Sequence, residues 1–166
     1  MSKSKKVATF ALCVALAFTL SFLESLVPIN IGIPGVKLGL ANSVVLVALY
    51  LLGKKEAFAI SMIRILLAGL LFSGAFSLVY SFAGGLLSYF VMLAAMNCKK
   101  LSAVGVSVLG AAVHNVGQII VAALVMQTAR IVYYLPVLLL SGALTGVLVG
   151  IISGIAIARL NKVINN

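Results

Sequence analysis

Apolar positions dominate the chain and are interrupted at short intervals by small clusters of lysine, glycine, proline or asparagine. The uninterrupted runs predict helices at about 7–27, 38–52, 57–72, 77–96, 102–127 and 134–160, against the roughly 20 residues that cross a bilayer. The breaks between them are Pro28-INIGIPGV-Lys37, Gly53-KKE, Ser73-GAF, Asn97-CKK and Thr128-ARIVY. The pattern predicts an all-α integral membrane protein, a bundle of six transmembrane helices that forms one transmembrane domain over residues 1–166.

Composition strengthens that reading. Of 166 residues, 64% are hydrophobic and 8% charged, where soluble domains run nearer half apolar and a quarter charged. The net charge of +10 would suit nucleic acid if it formed a patch, but it is dispersed between the apolar runs. With the N-terminus in the cytoplasm, six crossings put Lys3, Lys5, Lys6, Lys54, Lys55, Lys99, Lys100, Arg159 and Lys162 on the cytoplasmic side, and leave Lys37 and Arg130 outside. This bias follows the positive-inside rule and predicts an N-in, C-in topology. The first run is longer than a signal-peptide core and lacks a small-residue cleavage pattern, so it is expected to be retained. Cys13 within that run and Cys98 in a basic connection are expected to be free thiols.

Small residues suggest how the helices pack. Gly142, Gly146, Gly150 and Gly154 recur every four residues in the last span, and Ala158 continues the row. Such a row lets another backbone come close, whether from this chain or from a partner. Ala8, Ala11 and Ala15 form a lesser row on the first helix, suited to packing inside the bundle or to docking another membrane protein.

Polar groups inside the apolar runs carry the functional signal, because hydrocarbon offers them no water. Arg64 lies too deep in the third span to snorkel easily and must face the interior. Glu24, near the outer end of the first span, is its candidate partner; the chain's other acid, Glu56, lies at the cytoplasmic end. His114 and Gln118 are one helical turn apart and share a face, with Asn115 about 100° away around the helix. Ser61 shares a stripe with Arg64, while Ser77, Ser81, Gly84 and Ser88 form a weakly polar stripe on the fourth helix beside Tyr80. Asn42 sits near the outer end of the second. Either these groups make separate helix–helix hydrogen bonds, or they converge on a cavity open to the outside. The mixture of Arg, His, Asn and Gln favours the cavity. With Arg64 inside and Lys37 at its mouth, it would suit an anionic or acceptor-rich ligand. The second and third spans are short and flank the Pro- and Gly-containing outer loop, a pattern that marks binding sites in some transporters and tilted helices in other proteins.

Other chemistries lack their residues. There is no phosphate-binding G-x-x-x-x-G-K-[ST] loop. One histidine and two cysteines at unrelated positions make no zinc or haem set, and no nucleophile elbow is present. Neither catalysis nor a metal site is expected of this chain, nor a covalent cofactor.

The segments Phe22-LESLVP, Pro34-GVKLGLAN, Ala48-LYLLGKKEA, Tyr80-SFAGGLLS, Ala112-VHNVGQ and Tyr133-YLPVLLLSG together resemble a small bacterial membrane family called Gx transporters, also known as heptaprenyl diphosphate synthase component I. The resemblance covers nearly the whole chain in order. It implies a multi-pass protein of the bacterial cytoplasmic membrane, similar to the substrate-binding S components of energy-coupling-factor vitamin transporters. In such systems a scaffold protein and two ATPases drive transport, and Ala11 and Ala15 would dock on that scaffold. The resemblance further implies a flavin as the transported or bound ligand, with Arg64 and Lys37 near phosphate and tyrosines such as Tyr80 stacking on its ring; Asn42, His114, Asn115 and Gln118 would add hydrogen bonds. The family's second name implies a different role, as non-catalytic partner of an isoprenoid diphosphate synthase. The chain has no aspartate with which to build such an enzyme's magnesium sites. A third role, as subunit of a membrane redox complex, would use the glycine row as its contact.

Overall fold

The computed structural model describes residues 3–26, 39–98 and 100–165. Among these the chain is all-helical, with six helices: α1 (Lys3–Leu26), α2 (Leu40–Leu51), α3 (Lys54–Ala68), α4 (Gly74–Asn97), α5 (Ala103–Val125) and α6 (Leu135–Asn165). Helices α1, α4, α5 and α6 are long and apolar enough to span a membrane, and α2 is a shorter apolar helix. Large apolar side chains such as Leu12, Leu70, Leu124 and Leu140 lie on the outer surface, two-thirds or more exposed. In water they would be a liability; against lipid tails they are at home.

The breaks are tighter than their composition suggests. The expected loop at 73–76 shrinks to one turn, because a π-helical segment (Gly69–Ser73) runs on from α3 and α4 begins directly at Gly74. Gly74 takes φ +78°, a left-handed conformation costly for any residue with a Cβ. The outer connection before α6 is likewise a 3-10 helix (Ala129–Tyr134) rather than a loop. Tyr133 and Tyr134 are exposed there, as an interfacial aromatic pair should be. α1 starts at Lys3 rather than near residue 7, and α6 continues past residue 160, since nothing at either end breaks the helix.

The glycine row of α6 packs inside the chain. A Cβ on Gly146 would stand 2.8 Å from the Cα of Val108, and one on Gly150 would also run into the α5 backbone at Val104. The α4–α5 contact uses the same device: a Cβ on Gly117 would lie 3.0 Å from the Cα of Gly84. Thus α5 is clasped between α4 and α6. α2 crosses on the other side, where Leu46 and Val45 join Ile60 and Val106 among the most deeply buried side chains.

The bundle has a basic end. Lys6 pairs with Glu56, tying the start of α1 to the start of α3. Lys54 Nζ donates to Asn97 Oδ1 at 3.2 Å, and Tyr89 donates to the Lys54 carbonyl at 2.6 Å, so the end of α4 joins them. Ala8, Ala11 and Ala15 are exposed. The face of α1 that packs is instead the one bearing Ala17, Ser21 and Glu24, so the alanine row is not used within the bundle.

Candidate functional site

Most of the polar groups singled out in the apolar helices meet in one cavity near the end opposite the described lysines, while Ser61, Ser77 and Ser88 are not part of its lining. Every helix contributes to its lining: Ser21 and Glu24 from α1, Asn42 from α2, Arg64 from α3, Ser81 from α4, His114, Asn115 and Gln118 from α5, and Ser141 and Thr145 from α6. Its volume is about 70 Å³, room for a few waters or a small anionic group.

Arg64 is the charged centre. It is 9% exposed and donates from Nη2 to Asn42 Oδ1 at 2.9 Å and from Nη1 to Ser21 Oγ at 3.4 Å. Its Nε–H is buried with no hydrogen-bond partner among the described residues. A guanidinium in hydrocarbon retains its proton and needs acceptors, so the cluster holds Arg64 in place and leaves part of its donor capacity unused.

Glu24 lines the same cavity and is buried. Its Oε1 accepts from the backbone N–H of Leu40, the first residue of α2. The preceding Gly39 has φ +72° and no side chain with which to cap that helix. A carboxylate from α1 therefore serves the exposed amides and positive dipole end of α2. Glu24 and Arg64 therefore share the chamber, but the hydrogen bonds of the guanidinium go to Asn42 and Ser21 rather than to this carboxylate.

On α5, His114 and Gln118 present the predicted common face, and Asn115 reaches the cavity as well. Part of Asn115 is structural, since Nδ2 donates to the Leu138 carbonyl of α6 at 2.6 Å. Gly84 makes room on the α4 side, where a Cβ would sit 2.7 Å from the His114 carbonyl and 2.9 Å from Gln118 Cγ. The cavity and the separate helix–helix bonds that the sequence left as alternatives therefore coexist.

Tyr80 is not among the lining residues; it lies about 100° around α4 from Ser81. The aromatic residue that lines the cavity is Phe72 of the π segment, held against Phe18 and Phe22 of α1 at centroid distances of 5.7 and 5.6 Å. Lys37 lies outside the described residues. Sequence reasoning missed Ser21, Ser141, Thr145 and Phe72. Ser21 stands one turn before Glu24, and that spacing could have found it. Thr145, one turn after Ser141, also carried a usable signal, but Phe72 carried none.

These features define a multi-pass helical membrane protein with a polar chamber among its helices. A family model described as heptaprenyl diphosphate synthase component I matches residues 13–155, and the chain belongs to that family. No curated protein and no solved structure matches it.

Proposed function

We propose that this protein binds a small anionic or acceptor-rich cofactor or vitamin in the six-helix chamber and carries it across the bacterial cytoplasmic membrane. The observation that supports the reading best is Arg64, a buried cation whose Nε–H lacks an acceptor inside a polar cavity. Intramembrane ionisable groups are costly and are retained mainly where they act. Arg64 would hold the anionic group, and His114, Gln118 and the free amide capacity of Asn115 and Asn42 would orient the rest. Catalysis has no place in this reading.

A flavin is the first ligand to test. Pockets for ligands of that size span about 300–1,000 Å³, and the chamber holds about 70 Å³. A flavin phosphate or diphosphate could reach Arg64 only if the outer ends of the helices part. The test is to purify the protein in mild detergent, record its visible absorbance and identify what it releases on denaturation. Titrations with riboflavin, flavin mononucleotide and flavin adenine dinucleotide would follow. A phosphate-dependent affinity that is lost in Arg64→Ala and partly kept in Arg64→Lys is expected. Equal affinity for phosphorylated and neutral flavins, unchanged in Arg64→Ala, would sink this role. The exposed Ala11 and Ala15 offer a face on which a scaffold protein with ATPases could dock.

The family description favours a second reading, in which the chain is the membrane partner of an isoprenoid diphosphate synthase. That reading expects co-purification with a soluble Asp-rich enzyme and no bound water-soluble ligand.

A further inference from the structure

We propose that the chamber continues inward as a second, hydrated pocket, and that this pocket is the inner half of the route along which the ligand is carried. The route rests on the transport reading above and gives it a path.

A second cavity of about 20 Å³ lies between α2 and the α4–α6 clasp. Its polar lining is Asn42, Ser88, Ser107 and Thr145. Asn42 and Thr145 line the chamber as well, so the two cavities share a wall. The second lies toward the basic end, since Ser107 precedes His114 by seven residues on α5, about 10 Å of helix. Ser88 and Ser107 are 4% and 5% exposed, and neither hydroxyl is hydrogen-bonded to another described residue. The hydroxyls of Ser43, Ser141 and Thr145, by contrast, return to carbonyls of their own helices. A polar space of this size takes up one water, where an apolar void stays dry. Water held by Ser88 and Ser107 satisfies both hydroxyls and puts a solvated step beneath the chamber.

The wall most able to move is α2. The α4–α5 and α5–α6 contacts bring backbone against backbone at Gly117 and Gly146, which leaves those helices little slack. α2 has 12 residues and is bounded by Gly39 at φ +72° and Gly53 at φ +116°, so neither end runs on as helix. Below the pocket the way is shut by Leu46, Met92 and Val149. Met92 is the flexible member of that plug. It lies over the bare Cα of Gly110, where a Cβ would stand 2.6 Å from its Cγ. Withdrawal of α2 from the clasp takes Leu46 with it, joins the two cavities and opens the lower one toward the basic end. Movement of one wall around a fixed site is what alternating access requires.

The test uses Ser107→Cys and, as an independent second position, Ser88→Cys, each in a Cys13→Ser, Cys98→Ser background. Ser61→Cys is the control, because Ser61 is 3% exposed yet lines neither cavity. A thiol reacts as the thiolate and so reports water. In inside-out native membrane vesicles, a small membrane-impermeant anionic methanethiosulfonate should modify the Ser107 and Ser88 variants roughly tenfold or more faster than the control. Modification should then stop the flux of flavin mononucleotide across the vesicle membrane, while its affinity in detergent stays within about twofold, since Arg64 is untouched. Rates no faster than those of Ser61→Cys would overturn the hydrated pocket. Modification from the outer side alone would make it a blind floor of the chamber and overturn the route, as would unchanged flux after modification. Unmodified vesicles that bind flavin mononucleotide but never pass it in either direction would overturn the transport reading itself, and the route with it.

Discussion

Arg64 is held by acceptors that no single-residue view would supply. Its depth in an apolar run predicted burial, but its two observed acceptors come from Asn42 and Ser21 on different helices. Sequence gives a residue's depth and face on its own helix; it does not say which neighbour arrives opposite. Tyr80 shows the same limit: it stands one turn before Gly84 on α4, yet it is not among the residues that line the chamber. Removing an acceptor from a buried charge leaves its desolvation uncompensated, so Asn42→Ala should destabilise the fold by about 1–3 kcal/mol. Asn42→Gln, with an amide oxygen on a longer arm, should recover part of that. Thermal unfolding in detergent would check both, and an unchanged midpoint in Asn42→Ala would mean that Arg64 does not depend on this bond.

At the scale of helices, the glycine row was legible as a contact, and the structure supplies its partner, α5. The clearances grade the consequences. Gly146 and Gly150 face backbone atoms of α5 that cannot move aside, whereas a Cβ on Gly154 would meet only the Ala103 methyl at 3.9 Å. Gly146→Ala and Gly150→Ala should each cost about 1–3 kcal/mol through overpacking, and Gly154→Ala should be close to neutral. A flat response across the three, measured as folded yield by size-exclusion chromatography and as thermal midpoint, would return the row to the role of a face for another subunit. Gly84 makes a similar prediction at the site. Its substitution by Ala would press on His114 and Gln118, weakening ligand binding more than its small volume suggests. Helix ends were the least legible feature, because the π segment and the 3-10 turn keep the chain helical through residues that read as breaks.

Across the whole molecule, the basic clusters at the starts of α1 and α3 and the end of α4 gather at one end through Lys6–Glu56 and Lys54–Asn97, and the polar chamber lies toward the other. The six-helix count and this polarity were both readable from the spacing of lysines among apolar runs, because the cost of moving charge through lipid acts on sequence directly. Convergence of all six helices on one cavity was readable only as an expectation, since it depends on how the helices cross. On the proposed function, this polarity puts ligand entry on the side opposite the described lysines. The two native cysteines test it without substitution, since Cys98 is exposed beside the basic end and Cys13 is part-buried in α1. A membrane-impermeant maleimide should leave Cys98 unmodified in intact spheroplasts and label it once the membrane is permeabilised, with Cys13 unreactive in both. Labelling of Cys98 in intact spheroplasts would invert the topology. The chamber would then open to the cytoplasm, and the proposed ligand would enter from that side.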